Sequence, residues 1–136
     1  MTKTFFGSCH CGAVRFEADI DFSQGTWKCN CSICTKARLW HPVVMPNAFR
    51  LLAGESSLTE YRFHTQNAHH LFCKHCGVHT FGWAEDAQVG GKFYTPKIAC
   101  LDNLTQGDID SLMQHIKYVD GRNDDFAREP SELRCL

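Results

Sequence analysis

No apolar run in the sequence approaches the ~20 residues that cross a bilayer, so a membrane-spanning helix is not expected. Charge of neither sign is in excess: 14 Lys and Arg against 15 Asp and Glu leave a formal charge of -1, which gives no field to hold nucleic acid or an anionic membrane surface. A basic extension of the kind a chromatin-bound protein carries is also missing. Met1 to Phe6 meet Gly7-Ser8-Cys9 before a signal-peptide apolar region can form, so a cytoplasmic chain is expected. Nothing repeats at a fixed period and no segment is low in complexity, so neither linkers nor arrays need explaining. With 43% hydrophobic and 21% charged residues, composition indicates neither disorder nor a fibrous architecture. A length of 136 residues suits one core, and a single domain over 1–136 is expected.

What the sequence has in quantity is cysteine, nine in all. A secreted disulfide framework and metal coordination in a reducing compartment compete to explain such a count. Spacing separates them. Cys9-His10-Cys11, Cys29-Asn30-Cys31-Ser32-Ile33-Cys34 and Cys73-Lys74-His75-Cys76 hold seven of the nine in close pairs or triples, which suit one ion better than long cross-links. The odd total would also strand a thiol in an oxidising compartment.

Residues 13–20 alternate cleanly, with Val14, Phe16, Ala18 and Ile20 on one face and Arg15, Glu17 and Asp19 on the other. Further short strands are expected over 40–45, 49–53, 58–63, 68–72, 80–83 and 97–101, bounded by breakers such as Pro46-Asn47 and Gly90-Gly91. Helical spacing is confined to 32–38 and 108–116, the second carrying Ile109, Leu112, Met113 and Ile116. The expected fold class is mainly β, a small zinc-stabilised assembly of short antiparallel sheets with one or two short helices. The polar tail after Gly121 is expected to be loosely held.

A closed structural zinc site takes four ligands and a reactive one takes three plus an exchangeable position, so seven thiolates divide as four and three. The pairs Cys9, Cys11 and Cys73, Cys76, each followed by a glycine suited to a tight knuckle, would form the structural site. Cys29, Cys31 and Cys34 would form the reactive one. The competing readings are reduced core thiols for the first set and, for the second, a structural site completed by histidine or a redox cluster. His75 and His79 are poor candidates for that fourth ligand, because the ~12-residue stretch around which a zinc finger folds is absent. His69, His70 and His115 read as solvated or packed, Cys100 as a small buried residue and Cys135 as exposed.

Three thiolates leave zinc with a net charge near -1, so it polarises water weakly but accepts a further thiol readily and lowers that thiol's pKa. The chemistry this suits is addition of a small-molecule thiol to an electrophile such as an aldehyde, or the reverse. Trp27, Trp40, Phe63 and Trp83 are candidate pocket walls, and Lys36, Arg38 and Arg62 candidate partners for the carboxylates of a peptide thiol. A binding module in which both ions only maintain the fold, and a switch that releases zinc on thiol oxidation, are the alternatives.

The segments Gly7-Ser8-Cys9-His10-Cys11-Gly12-Ala13-Val14-Arg15-Phe16, Cys29-Asn30-Cys31-Ser32-Ile33-Cys34 and Phe72-Cys73-Lys74-His75-Cys76-Gly77, in that order and followed by Ala99-Cys100-Leu101-Asp102, closely resemble the glutathione-dependent formaldehyde-activating enzyme family. That family also contains centromere protein V. The resemblance spans about residues 4 to 120. It implies an Mss4-like fold, structural zinc on Cys9, Cys11, Cys73 and Cys76, and catalytic zinc on Cys29, Cys31 and Cys34. It also implies a carbon–sulfur lyase activity that condenses glutathione with formaldehyde. Pro96-Lys97 departs from the family, which more often has an aliphatic residue and asparagine there.

Overall fold

In a computed structural model describing Met1–Leu136, nine strands form three sheets, joined by two α-helices and several single 3-10 turns. Strands β1 (Lys3–Ser8), β2 (Arg15–Ile20) and β4 (Phe49–Ala53) make an antiparallel sheet in the order β1-β2-β4. Alternation in β2 acts as its sequence dictates. Phe16, Ala18 and Ile20 are buried, while Glu17 and Asp19 both accept hydrogen bonds from Arg50 on β4.

Strands β5 (Leu58–Tyr61), β6 (His69–Cys73), β7 (His79–Asp86) and β8 (Gly91–Pro96) form a second antiparallel sheet in sequence order. The two sheets meet through aromatic rings. Phe49 lies 5.5 Å from Phe16, 4.6 Å from Phe81 and 4.5 Å from Tyr94, centroid to centroid, so one ring on β4 joins β2 to β7 and β8.

Gly7 on β1 lies opposite Phe16, and a Cβ built there would come within 2.2 Å of the Phe16 ring. The ring occupies the space a side chain would need. Gly7→Ala is therefore expected to destabilise the chain by about 2–3 kcal/mol through overpacking, read as a lower midpoint in urea with an unchanged slope.

The third sheet departs from the antiparallel expectation. Strand β3 (Thr26–Cys29) pairs in parallel with β9 (Ile116–Val119), from Thr26 against Ile116 to Cys29 against Val119. Helix α1 (Ser32–Ala37) follows β3 directly, and α2 (Gln106–Gln114) precedes β9. Thr105 and Asp108 close a capping box, which starts α2 two residues before the expected 108. Its apolar spacing is weakly used: Leu112 is buried, but Ile109 and Met113 are exposed and Ile116 opens β9.

Two expected strands are absent as strands. Residues 40–45 make only single bridges, His41 to Trp27 and Val44 to Tyr94, because Pro42 between them has no N–H for a ladder. Residues 97–101 contain a 3-10 turn over Ile98–Cys100 that follows β8. The tail is also better held than its polarity suggests. Asp120, 2% exposed, accepts from Asn30, Asn123 and Arg128, Pro130 is buried, and Arg38 donates to the Cys135 carbonyl at 2.6 Å.

Candidate metal centres

Two groups of thiols converge, each with its sulfur atoms within 4.8 Å of one another: Cys9, Cys11, Cys73 and Cys76, and separately Cys29, Cys31 and Cys34. The first joins the two antiparallel sheets. Cys9 and Cys11 follow β1, Cys73 ends β6, and Cys76 sits in the turn before β7. Each pair is held by a knuckle: the Gly12 N–H donates to the Cys9 carbonyl and the Gly77 N–H to the Cys73 carbonyl, at φ of 80° and 76°. Cys9 Sγ also accepts from the Val14 N–H at 3.3 Å.

Sulfur separations of 3.6 Å for Cys9–Cys11 and Cys11–Cys73 are far too long for disulfides. They match the ~3.8 Å edge of a tetrahedron with ~2.3 Å arms, the length of a zinc–sulfur bond. The donor set fits a metal ion.

In the second group Cys29 ends β3, Cys31 caps α1 and Cys34 lies one turn into it. Cys31 is held far below the ordinary thiol range by hydrogen bonds from Cys29 and Cys34 and then by the Cys34 and Ile33 amides. Cys34 is pushed up by Cys29, by Cys31 and by its burial. Crowding of this kind lets one sulfur ionise and opposes the next, and a cation is what would reconcile three thiolates here.

Supports for this loop escaped sequence reasoning. Asn30 donates to Asp120 and accepts from the Arg122 N–H, while its carbonyl accepts from Thr35 and the Arg122 side chain. Gly121 lies against one of these sulfurs: a Cβ there would come within 2.3 Å of Cys29 Sγ. Gly121→Ala is expected to lower metal occupancy of the three-cysteine group while leaving the four-cysteine group filled, measured as metal per chain. Polar residues far along the chain gave no local signal for this; only the β3–β9 pairing brings them to the loop.

Beside α1 lies a cavity of about 560 Å³ whose wall includes Ile33, Lys36, Arg38, Trp40, His79 and Lys97, with no acidic residue. A smaller cleft of about 200 Å³ shares Arg38, Leu39 and Trp40 and reaches Cys34 itself, with Cys135 at its mouth. Of the proposed pocket residues, Lys36, Arg38 and Trp40 are therefore in place. Trp27 lines a different cleft, Trp83 stacks on His69, Phe63 on Tyr61, and Arg62 lies beside Glu60. His75 is exposed against Ser57, and neither it nor His79 joins a thiol group. His69 is held against Glu60, and His70 is buried.

Lys97 is buried, and its Nζ is 3.2 Å from both His41 Nδ1 and Thr95 Oγ1. Burial brings its pKa down to about 8, against the opposing pull of the Cys34, Cys100 and Cys31 thiols. His41 is pushed well below the usual imidazole value by burial and then by Lys97 and His70, and His70 falls to about 4 chiefly through burial.

The chain resembles the crystal structure of a Rhodobacter sphaeroides protein with a TM-score of 0.65 and 28% identity, over 79% of this chain and 96% of that one. A mainly β architecture of small sheets with cysteine clusters agrees with an Mss4-like fold. No helix is long and apolar enough to cross a membrane. The family profile described as glutathione-dependent formaldehyde-activating enzyme matches residues 4–116, and with both thiol clusters of its motifs assembled, the chain belongs to that family.

Proposed function

We propose that the chain is a zinc-dependent enzyme of carbon–sulfur lyase type, acting on the adduct of a glutathione-like thiol with an aldehyde or related electrophile. The observation that carries this reading is the three-cysteine group set beside a largely apolar cavity that carries Lys36, Arg38 and Lys97 and no carboxylate. Cys9, Cys11, Cys73 and Cys76 would hold a structural zinc ion, and Cys29, Cys31 and Cys34 a second. The second ion, when bound, supplies Lewis acidity that favours an incoming thiol as its thiolate.

The chain's own residues do the rest. Lys36 and Arg38, exposed at the cavity wall, would engage the carboxylates of the peptide thiol, with Arg38 able to do so in bidentate fashion. Trp40 keeps its indole N–H on Thr26 Oγ1 at 2.8 Å, which fixes the ring as a wall. Binding both reactants in one cavity raises their effective concentration, which is where much of the acceleration of a bimolecular addition would arise.

The test is the rate of S-hydroxymethylglutathione formation from glutathione and formaldehyde, followed by exchange NMR on the metal-loaded protein. The expected result is acceleration over buffer that falls on the order of a hundredfold in Cys31→Ala. A wild-type protein no faster than buffer with any small aldehyde would contradict the reading.

A further inference from the structure

Residues 120–136 are held firmly at the base and lightly at the tip. The Asp120 N–H donates to the Arg128 carbonyl, its carboxylate accepts from the Arg128 side chain, and Pro130 is buried. Beyond Pro130 only Leu133 and Leu136 are even half-buried. The hydrogen bonds of Arg134 to Glu132 and of the Leu136 N–H to the Leu133 carbonyl stay within the tip. One hydrogen bond ties this tip to the body, from the Arg38 guanidinium to the Cys135 carbonyl at 2.6 Å.

That contact closes the cleft that reaches Cys34. Lys28, Arg38 and Trp40 wall it from the body, with Lys28 Nζ 4.6 Å from the centre of the Trp40 ring, while Cys135 and Leu136 wall it from the tail. No acidic side chain lines it. Arg38, Leu39 and Trp40 also line the larger cavity, so the cleft runs from that cavity toward the three-cysteine group. With the tip in place it holds about 200 Å³, below the ~300 Å³ at which small-molecule pockets begin. Arg38 itself ends α1 in the left-handed region, at φ 56° and ψ 46°, where glycine is the usual residue. A long cationic side chain kept on such a backbone points to a use for that side chain.

We infer that residues 131–136 are an autoinhibitory strap: as a cysteine peptide in cis, they occupy the subsite in which a peptide thiol docks. This rests on the thiol-addition reading above and adds to it a thiol subsite and its regulation. The tip and the substrate share their chemistry, a short peptide that carries a cysteine and offers oxygen acceptors to Arg38. A carboxylate gives the guanidinium a charged, bidentate partner in place of one neutral carbonyl, so the substrate can displace the tip. Release of one hydrogen bond and two half-buried leucines leaves the base at Asp120 intact and opens the cleft toward Cys34. The strap lowers the apparent affinity for the thiol by the fraction of chains in which it is closed.

The test uses S-methylglutathione, which keeps the peptide and both carboxylates but has no thiol to offer a metal ion. Its affinity is measured by calorimetry on the metal-loaded full chain and on a chain ended after Pro130. The shortened chain is expected to bind about tenfold more tightly, with metal content retained, and adding Arg38→Met to it should remove the gain. Leu133→Ser combined with Leu136→Ser in the full chain should act in the same direction by a smaller factor, which keeps the test open if the shortened chain does not fold. A synthetic peptide of residues 131–136 should compete with S-methylglutathione for the shortened chain. Equal affinity in the full chain and its tip variants, no binding to any of them, or a gain that survives Arg38→Met would overturn the proposal. Tighter binding that depends on Arg38, without thiol addition to any aldehyde, would uphold the strap while refuting the enzymatic reading. Thiol addition with an affinity that ignores the tip would do the reverse.

Discussion

Cys9→Ala is expected to leave the chain unfolded at room temperature. Cys9 is 3% exposed and joins the end of β1 to Cys73 at the end of β6, so the four-cysteine group ties one antiparallel sheet to the other. Structural zinc in small peptides contributes about 10–16 kcal/mol of apparent binding free energy. A domain's whole stability is about 5–15 kcal/mol, so losing even part of the metal's contribution removes most of the margin. The aromatic contacts of Phe16, Phe49 and Phe81 remain in the variant, but the two hairpin ends they bring together would no longer be clamped. Far-UV circular dichroism and metal content read the outcome together. A folded variant with a normal ion count would contradict the structural assignment.

Cys31→Ala should behave differently, keeping the fold and the first ion while losing the second ion and thiol addition. The three-cysteine group is local, contained within β3, its following turn and α1, and it joins no two sheets. Its loop is independently fixed by Asn30 to Asp120 and Arg122, so the backbone has other anchors when one thiol is removed. We expect a melting-temperature loss well below that of Cys9→Ala, about one metal ion fewer per chain, and turnover reduced on the order of a hundredfold. Equal losses of melting temperature in the two variants would contradict the division into structural and reactive groups.

Much of this site was legible in the sequence because ligand knuckles are local. Close cysteines followed by Gly12 or Gly77 specify their own turns, and the structure brings the two predicted thiol groups together as separate clusters. Clean alternation made β2 readable for the same reason. What was not legible depends on partners distant in the chain. Thr26–Cys29 is only four residues long and becomes a strand through parallel pairing with Ile116–Val119. Asp120 and Gly121 look like ordinary tail residues until that pairing sets them against Asn30 and Cys29. Lys97 resisted sequence reading most: a lysine after Pro96 suggests a solvated turn, and only the register of β6, β7 and β8 places it on a buried polar face with His70 and Thr95. Trp27, Phe63, Trp83 and Arg62 were reasonable by residue type, but Trp27 on β3, Trp83 on β7 and Arg62 and Phe63 just after β5 all lie outside the cavity wall.

The central claim, two ions of which only one accepts a substrate sulfur, is tested most directly by zinc-edge X-ray absorption on protein of known zinc stoichiometry, recorded before and after adding glutathione. The account predicts two zinc ions per chain. It predicts that glutathione raises the sulfur coordination of one of them, and that Cys31→Ala abolishes the change. A single ion, or two ions whose spectra do not respond to glutathione, would contradict it and leave the metal with a role in folding alone.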